Sequence, residues 1–141
     1  MPFLESLNSA GVEFLIVGSY TLAYHGSPGY TGGIDILVRP SAESAKRLKG
    51  AITAFGFGSL GITPDDFCEP YQVVQLGRPP NRIDLITAIS GVTFDDAWST
   101  RESGLLDGVA VGFIGRDAFV RNKRASGRLK DLADLEALGE Q

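Results

Sequence analysis

Gly32-Gly33-Ile34-Asp35-Ile36-Leu37-Val38-Arg39-Pro40 is the stretch on which the fold turns. Its aliphatic and β-branched residues, ended by a proline that cannot donate to a sheet ladder, predict a strand over 34–39. Alternate side chains of a strand share a face, so positions 33 and 35 lie together with Cα atoms about 7 Å apart, while Ile34, Ile36 and Val38 turn the other way. Asp35 therefore projects from an otherwise apolar strand. Asp84 repeats the arrangement in Arg82-Ile83-Asp84-Leu85-Ile86. A buried carboxylate is costly unless it is paired, hydrogen-bonded or bound to metal. The plain explanation is pairing with an arginine such as Arg39 or Arg82, or an exposed sheet edge. Two such acids in two apolar strands suggest one shared site.

Upstream, Phe3, Leu4 and Leu7 sit at helical spacing before Gly11, predicting a helix from about Pro2 to Ala10. Phe14-Leu15-Ile16-Val17 is a short apolar run that reads as a buried strand. Gly18 follows it, and Ser19 to His25 has the composition of a helix stopped by Gly26. Downstream, Ser41 is a good N-cap for a helix whose apolar stripe is Ala45, Leu48, Ile52 and Phe55. Residues 56–70 have no sustained period and read as a long connection with one helical turn near Pro64.

Residues 73–76 and 82–87 read as a hairpin around the turn-forming cluster Gly77-Arg78-Pro79-Pro80-Asn81. A short helix over 94–99, a strand over 109–114 and a helical tail from Arg116, interrupted near Gly127, complete the reading. The fold class is α/β (α+β), a small mixed twisted sheet with packed helices.

A chain of 141 residues is read as one domain, 1–141, able to bury a core without cross-links. Thirteen basic against 17 acidic residues give a net charge of -4, which argues against a surface wholly dedicated to nucleic acid. Cys68 is the sole cysteine, so one chain can form neither an internal disulfide nor a cysteine-based zinc site. The first residues lack the basic start of a secretory signal, and no apolar run reaches the roughly 18 residues of a membrane span. A cytoplasmic protein with no membrane partner is the expectation.

Phe14-Leu15-Ile16-Val17-Gly18-Ser19, then His25-Gly26, Tyr30-Thr31, Ile34-Asp35-Ile36-Leu37-Val38 and Ile83-Asp84-Leu85-Ile86 resemble, in order and spacing, the minimal nucleotidyltransferases of the DNA polymerase beta superfamily. The nearest likeness is to the small bacterial group that includes abortive-infection type toxins, which raises a toxin–antitoxin role. The resemblance implies that the turn at Gly18 and Ser19 opens a helix that holds nucleotide phosphates. Physics permits this, because the first turn of a helix presents free amide donors and glycine lets phosphate approach them. An ordinary strand-to-helix turn is the alternative.

The same resemblance places metal-binding acids at positions 33, 35 and 84, where they hold two magnesium ions that activate an attacking hydroxyl and grip a triphosphate. Gly33 replaces the first of them. Asp35 and Asp84 remain as the catalytic and metal-binding pair, expected to hold Mg2+ weakly and once a nucleoside triphosphate is present. Were the missing carboxylate the whole defect, Gly33→Asp would restore tight metal binding. Asp65, Asp66 and Glu69 are remote candidates to replace it.

The basic tail from Arg116 to Asp131 resembles the family's nucleotide-facing segment. Lys123 and Arg128 are the chosen phosphate contacts, ahead of Arg121 and Arg124, against the alternative of a solvated basic face. Asp131 and Asp134 either orient these cations or keep the tail soluble. His25 reads as a capping or packing residue, and Trp98, Tyr20, Tyr24 and Tyr30 read as core rather than base-stacking residues.

The implied activity is transfer of a nucleotidyl group from a nucleoside triphosphate to a hydroxyl on a protein, RNA or small molecule, with catalysis impaired at Gly33. The rival is a non-catalytic module that binds nucleotide, RNA or protein in the same cleft. A scaffold that dimerises through a sheet edge or the C-terminal helices is a third reading.

Overall fold

The computed structural model describes residues 2–18, 21, 33–57, 61–77 and 82–139. Strands β1 (Phe14–Val17), β2 (Gly33–Val38), β3 (Val73–Leu76), β4 (Arg82–Ile86), β5 (Glu102–Leu106) and β6 (Val109–Phe113) form one sheet in the order β3-β4-β2-β1-β6-β5. The sheet is mixed. β2 runs parallel to β4, and β1 parallel to β6, while the β1–β2, β3–β4 and β5–β6 pairs are antiparallel.

Helices α1 (Pro2–Ser9), α2 (Ala42–Ile52), α3 (Phe94–Ser99), α4 (Arg116–Ser126) and α5 (Leu129–Ala137) accompany it. Strand alternation sorts the apolar residues into two cores. Ile16, Ile34, Ile36, Ile83 and Leu85 pack with Phe3, Leu4 and Leu7 of α1 and with Ala45, Leu48 and Ile52 of α2. Leu15, Val17 and Leu37 pack on the other side with Ala97 of α3 and with Ala118 and Phe119 of α4. Each fully buried Leu, Ile or Phe contributes about 1.5–3 kcal/mol, so both helical layers are anchored by side chains the sequence period placed on one stripe.

α2 begins at Ser41, whose hydroxyl accepts from the Ser44 amide at 3.2 Å. The regular helix stops at Ile52, short of Phe55, and a wider turn over Thr53–Phe57 follows, with Gly56 at φ +110°. Phe55 still reaches the core, edge-on to Phe3 at 5.2 Å between ring centres. The expected turn near Pro64 is present as Pro64–Phe67.

β5 is an addition to the sequence reading. It pairs with β6 through Asp107 and Gly108, both at positive φ (+51° and +77°), the geometry of a tight two-residue hairpin turn. β2 spans 33–38 rather than 34–39; just past its end the Arg39 amide still meets the Glu13 carbonyl at 3.4 Å, and the Arg39 side chain binds Glu13 and Asp95. Among the described residues, no helix is long and apolar enough to cross a membrane.

Candidate functional site

β2 and β4 lie side by side with Asp35 opposite Asp84. Their neighbours Ile34, Ile36, Ile83 and Leu85 enter the core beneath α1 and α2, so both carboxylates emerge on the face shared with Val17 and Leu37. Asp84 is buried, with 8% of its surface exposed. Burial, then a side-chain hydrogen bond to Asp84 and that residue's charge, push the Asp35 carboxyl up to about 6, against the pull of Lys130 and Arg82. A hydrogen bond between two carboxyl groups needs a proton between them, so the pair favours sharing one.

Arg82 is the partner of Asp84, with Nε 3.2 Å from Oδ1. Yet neither atom finds an aligned hydrogen bond, and both are buried. The contact is close and electrostatic without being a good hydrogen bond. Arg39, the other arginine considered for these acids, is held instead by Glu13 and Asp95.

Gly18 closes the site from β1. Its φ of +73° suits glycine, and a Cβ there would lie 2.3 Å from Asp35 Oδ2. Thr21 fixes the turn, donating its hydroxyl to the Ile16 carbonyl at 2.9 Å and its amide to the Gly18 carbonyl at 3.0 Å. Ser19, Tyr20, Tyr24, His25 and Tyr30 lie outside the described residues.

Gly33 has a structural reason to be glycine. It stands opposite Arg82 in the parallel pair, and a Cβ there would meet the Arg82 carbonyl oxygen at 2.3 Å. A carboxylate at this position would have to part β2 from β4, so Gly33→Asp does not simply refill a gap.

Asp35 opens onto a cleft of about 390 Å³, which Gly18, Tyr71, Asn122, Lys123 and Arg128 also line. Four predicted residues, Gly18, Asp35, Lys123 and Arg128, thus share one cavity, with Asp84 behind Asp35. The cations come from the α4–α5 junction, where Gly127 turns the chain at φ +66°. Both are already engaged. Lys123 Nζ lies 3.2 Å from Asp131 and 3.4 Å from Asp134, and Arg128 Nε donates to Asp131 at 2.8 Å. Asp131 is fully buried; burial alone would raise its pKa, but hydrogen bonds from Arg128 and Lys123 outweigh that and hold it below the usual carboxylate range.

Arg121 and Arg124 are exposed on α4 and do not line the cleft. Asp65, Asp66 and Glu69 do not reach it either, and Asp66 instead accepts from the Thr63 amide at 2.8 Å. Trp98 packs with the core and stacks on Phe94 at 5.7 Å.

Sequence reasoning missed Tyr71, Asn122, Ser126 and Ser90, all on the cleft wall. Asn122 and Ser126 are one helical turn apart beside Lys123, a spacing that marks a common face. Asn122 Nδ2 donates to the Ser90 carbonyl at 3.0 Å, tying α4 to the loop after β4.

Among the described residues, no group of three or more His, Cys, Asp or Glu side chains gathers as a metal site. The Asp35–Asp84 pair, whose Asp84 Oδ1 is ion-paired with Arg82 but makes no hydrogen bond, fits one hard cation that takes the rest of its oxygen shell from water and ligand. It does not fit a two-ion clamp built from protein groups alone.

No protein-family model matches the chain, and no curated protein matches it significantly. Among solved structures, it is similar to the crystal structure of a "putative nucleotidyltransferase" (TM1012) from Thermotoga maritima, with a TM-score of 0.62, 96% of this chain and 86% of that one covered, and 13% sequence identity. At that identity the likeness shows fold alone, and the fold is nucleotidyltransferase-like.

Proposed function

We propose that the cleft binds a nucleoside triphosphate with one magnesium ion, and that nucleotidyl transfer to a hydroxyl acceptor is impaired relative to a two-metal enzyme. The observation that carries this is the facing of Asp35 and Asp84 across the β2–β4 pair, at the mouth closed by Gly18. Asp35 and Asp84 hold the cation, while Lys123 and Arg128 meet the phosphates. When bound, magnesium supplies charge neutralisation for the triphosphate.

In the transfer, an acceptor oxygen bonds to the α-phosphorus and the bond to the bridging oxygen of pyrophosphate breaks. The hydroxyl proton leaves to water in the open cleft. The acceptor class is a protein, an RNA or a small molecule. Membership of the small bacterial abortive-infection group, a toxin–antitoxin pairing, a cytoplasmic site and a one-domain chain rest on the sequence reading.

A second reading, a non-catalytic nucleotide-, RNA- or protein-binding module, draws support from the packing of Gly33 against the Arg82 backbone. Titration with the four nucleoside triphosphates, with and without magnesium, separates the two, combined with transfer of label from an α-labelled triphosphate. Magnesium-dependent binding and slow transfer, both weakened by Asp35→Asn, are expected. Binding indifferent to magnesium with no transfer favours the module. Absence of any triphosphate binding sinks both nucleotide readings.

A further inference from the structure

Beside the cleft lies a second cavity of about 440 Å³, walled by Leu37, Pro40, Pro70, Tyr71, Val92 and Phe94 among others. The two adjoin, with Tyr71, Ala88 and Ile89 lining both. We propose that this second cavity is the nucleobase subsite of the cleft, with the Tyr71 ring as its stacking face. The proposal rests on the nucleotide reading above and adds where the base goes.

Position comes first. Leu37 follows Asp35 by two residues on the same face of β2, whereas Gly18 extends β1 past the Val17–Asp35 pair toward the opposite end of that strand. The acids therefore stand between the glycine turn and the second cavity. A triphosphate gripped at Gly18 and Lys123 leaves its nucleoside pointing past Asp35 into the apolar chamber.

Chemistry agrees. The chamber's walls are mainly aliphatic, aromatic and proline side chains, which suit a flat, weakly polar ring. Its buried hydroxyl is already used: Thr87 Oγ1 accepts from the Gln72 amide at 2.8 Å. Likewise the Thr93 hydroxyl accepts from the Asp96 amide at 3.1 Å. Stacking rather than a dense hydrogen-bond pattern is what the walls offer.

Tyr71 supplies the strongest sign. It is 74% exposed, and its backbone sits at φ +63°, in a turn after Pro70 where glycine would be unstrained. Its ring makes no hydrogen bond or aromatic contact among the described residues. An exposed aromatic alone is ordinary. An exposed aromatic in a strained turn, at the joint rim of two cavities, is disfavoured twice and gains nothing from packing, which points to a ligand as its partner.

The test compares wild type, Tyr71→Ala, Tyr71→Phe and Tyr71→Gly for binding of the four nucleoside triphosphates, adenosine and inorganic tripolyphosphate, all with magnesium. Base stacking on one aromatic ring predicts that Tyr71→Ala and Tyr71→Gly lose about tenfold in triphosphate affinity while tripolyphosphate binding stays as in wild type. Tyr71→Phe keeps the affinity, and Tyr71→Gly is no less heat-stable than wild type. Equal losses for nucleotides and tripolyphosphate, or no loss in any variant, overturn the proposal. If wild type binds tripolyphosphate as tightly as every nucleotide and ignores adenosine, the subsite is wrong but the phosphate site stands. If wild type binds none of these ligands, both fail.

Discussion

The carboxylate of Asp35 fills the space that a side chain on Gly18 would need, with Oδ2 2.3 Å from where that Cβ would sit. The positive φ of Gly18 adds a second penalty for any other residue. Gly18→Ala is expected to destabilise the protein by about 2 kcal/mol or more in urea unfolding. Part of that loss should return in the double variant with Asp35→Ala, which removes the overlap and leaves the backbone strain. Strictly additive losses would show that the two residues do not touch.

Gly33→Asp should fail as a repair. The overlap with the Arg82 backbone predicts a loss of about 2 kcal/mol or more, with no gain in magnesium affinity by calorimetry. Tight magnesium binding at unchanged stability would mean that β2 and β4 open easily at this point.

Asp35 makes the fold less stable as pH rises. Its folded pKa of about 6 lies above the ordinary value near 3.8, so between those values the folded state holds more protons than the unfolded one. Stability from this group is full below about pH 4, falls toward pH 6, and stays reduced above it. Asp35→Asn should therefore be stabilising at pH 7, by on the order of 1 kcal/mol once solvent screening at this partly open site is allowed for, and near neutral at pH 3.5. A stability gain of equal size at both pH values would contradict the shared-proton picture.

Asp131 has the opposite sign. Its folded pKa is lowered, so its stabilisation is present above the ordinary carboxylate value of about 3.9 and is lost as pH falls through the lower folded value. Asp131→Ala leaves Lys123 buried without its nearest partner and should cost about 3 kcal/mol at pH 7. Asp131→Asn should lose less and flatten the acid limb of the stability curve. Thermal melts across pH 2.5–7, an interval chosen to bracket ordinary carboxylate titration at about pH 4, read both effects.

Gly108 isolates backbone strain from packing. It sits at φ +77°, and nothing lies within 4 Å of a Cβ built there. Gly108→Ala should cost about 1 kcal/mol, and because β5 is at the sheet edge away from β4, ligand binding should not change. A change in nucleotide affinity would reveal a link between that edge and the cleft.

What the sequence disclosed follows from where burial imposes a period. β1, β2 and β4 were readable because Phe14 to Val17, Ile34 to Val38 and Ile83 to Ile86 face a core, and a lone acid stands out against aliphatic neighbours. β5 was not, since Glu102-Ser103-Gly104-Leu105-Leu106 is largely solvent-facing and owes its strand form to pairing with β6. Its sign was the Asp107-Gly108 turn. Gly33 was legible as a missing acid but not as a point of close approach, which depends on the Arg82 backbone from a distant strand. Tyr71 had no sign beyond its proline neighbour, because a strained turn leaves no period in a sequence. Asp131 was legible only as one of two acids that either orient the cations or keep the tail soluble; its engagement of Arg128 is local, but that of Lys123 crosses the break at Gly127 and depends on how α4 and α5 pack.

The parallel neighbours β2 and β4 are separated along the chain by α2, the long connection and β3. Closing so wide a loop is entropically unfavourable until the intervening pieces have docked. Half of the acid pair therefore has no counterpart in a nascent chain that stops before residue 82. Any compound that recognises both carboxylates doubles as a sensor of completed folding, blind to fragments and to partly assembled intermediates.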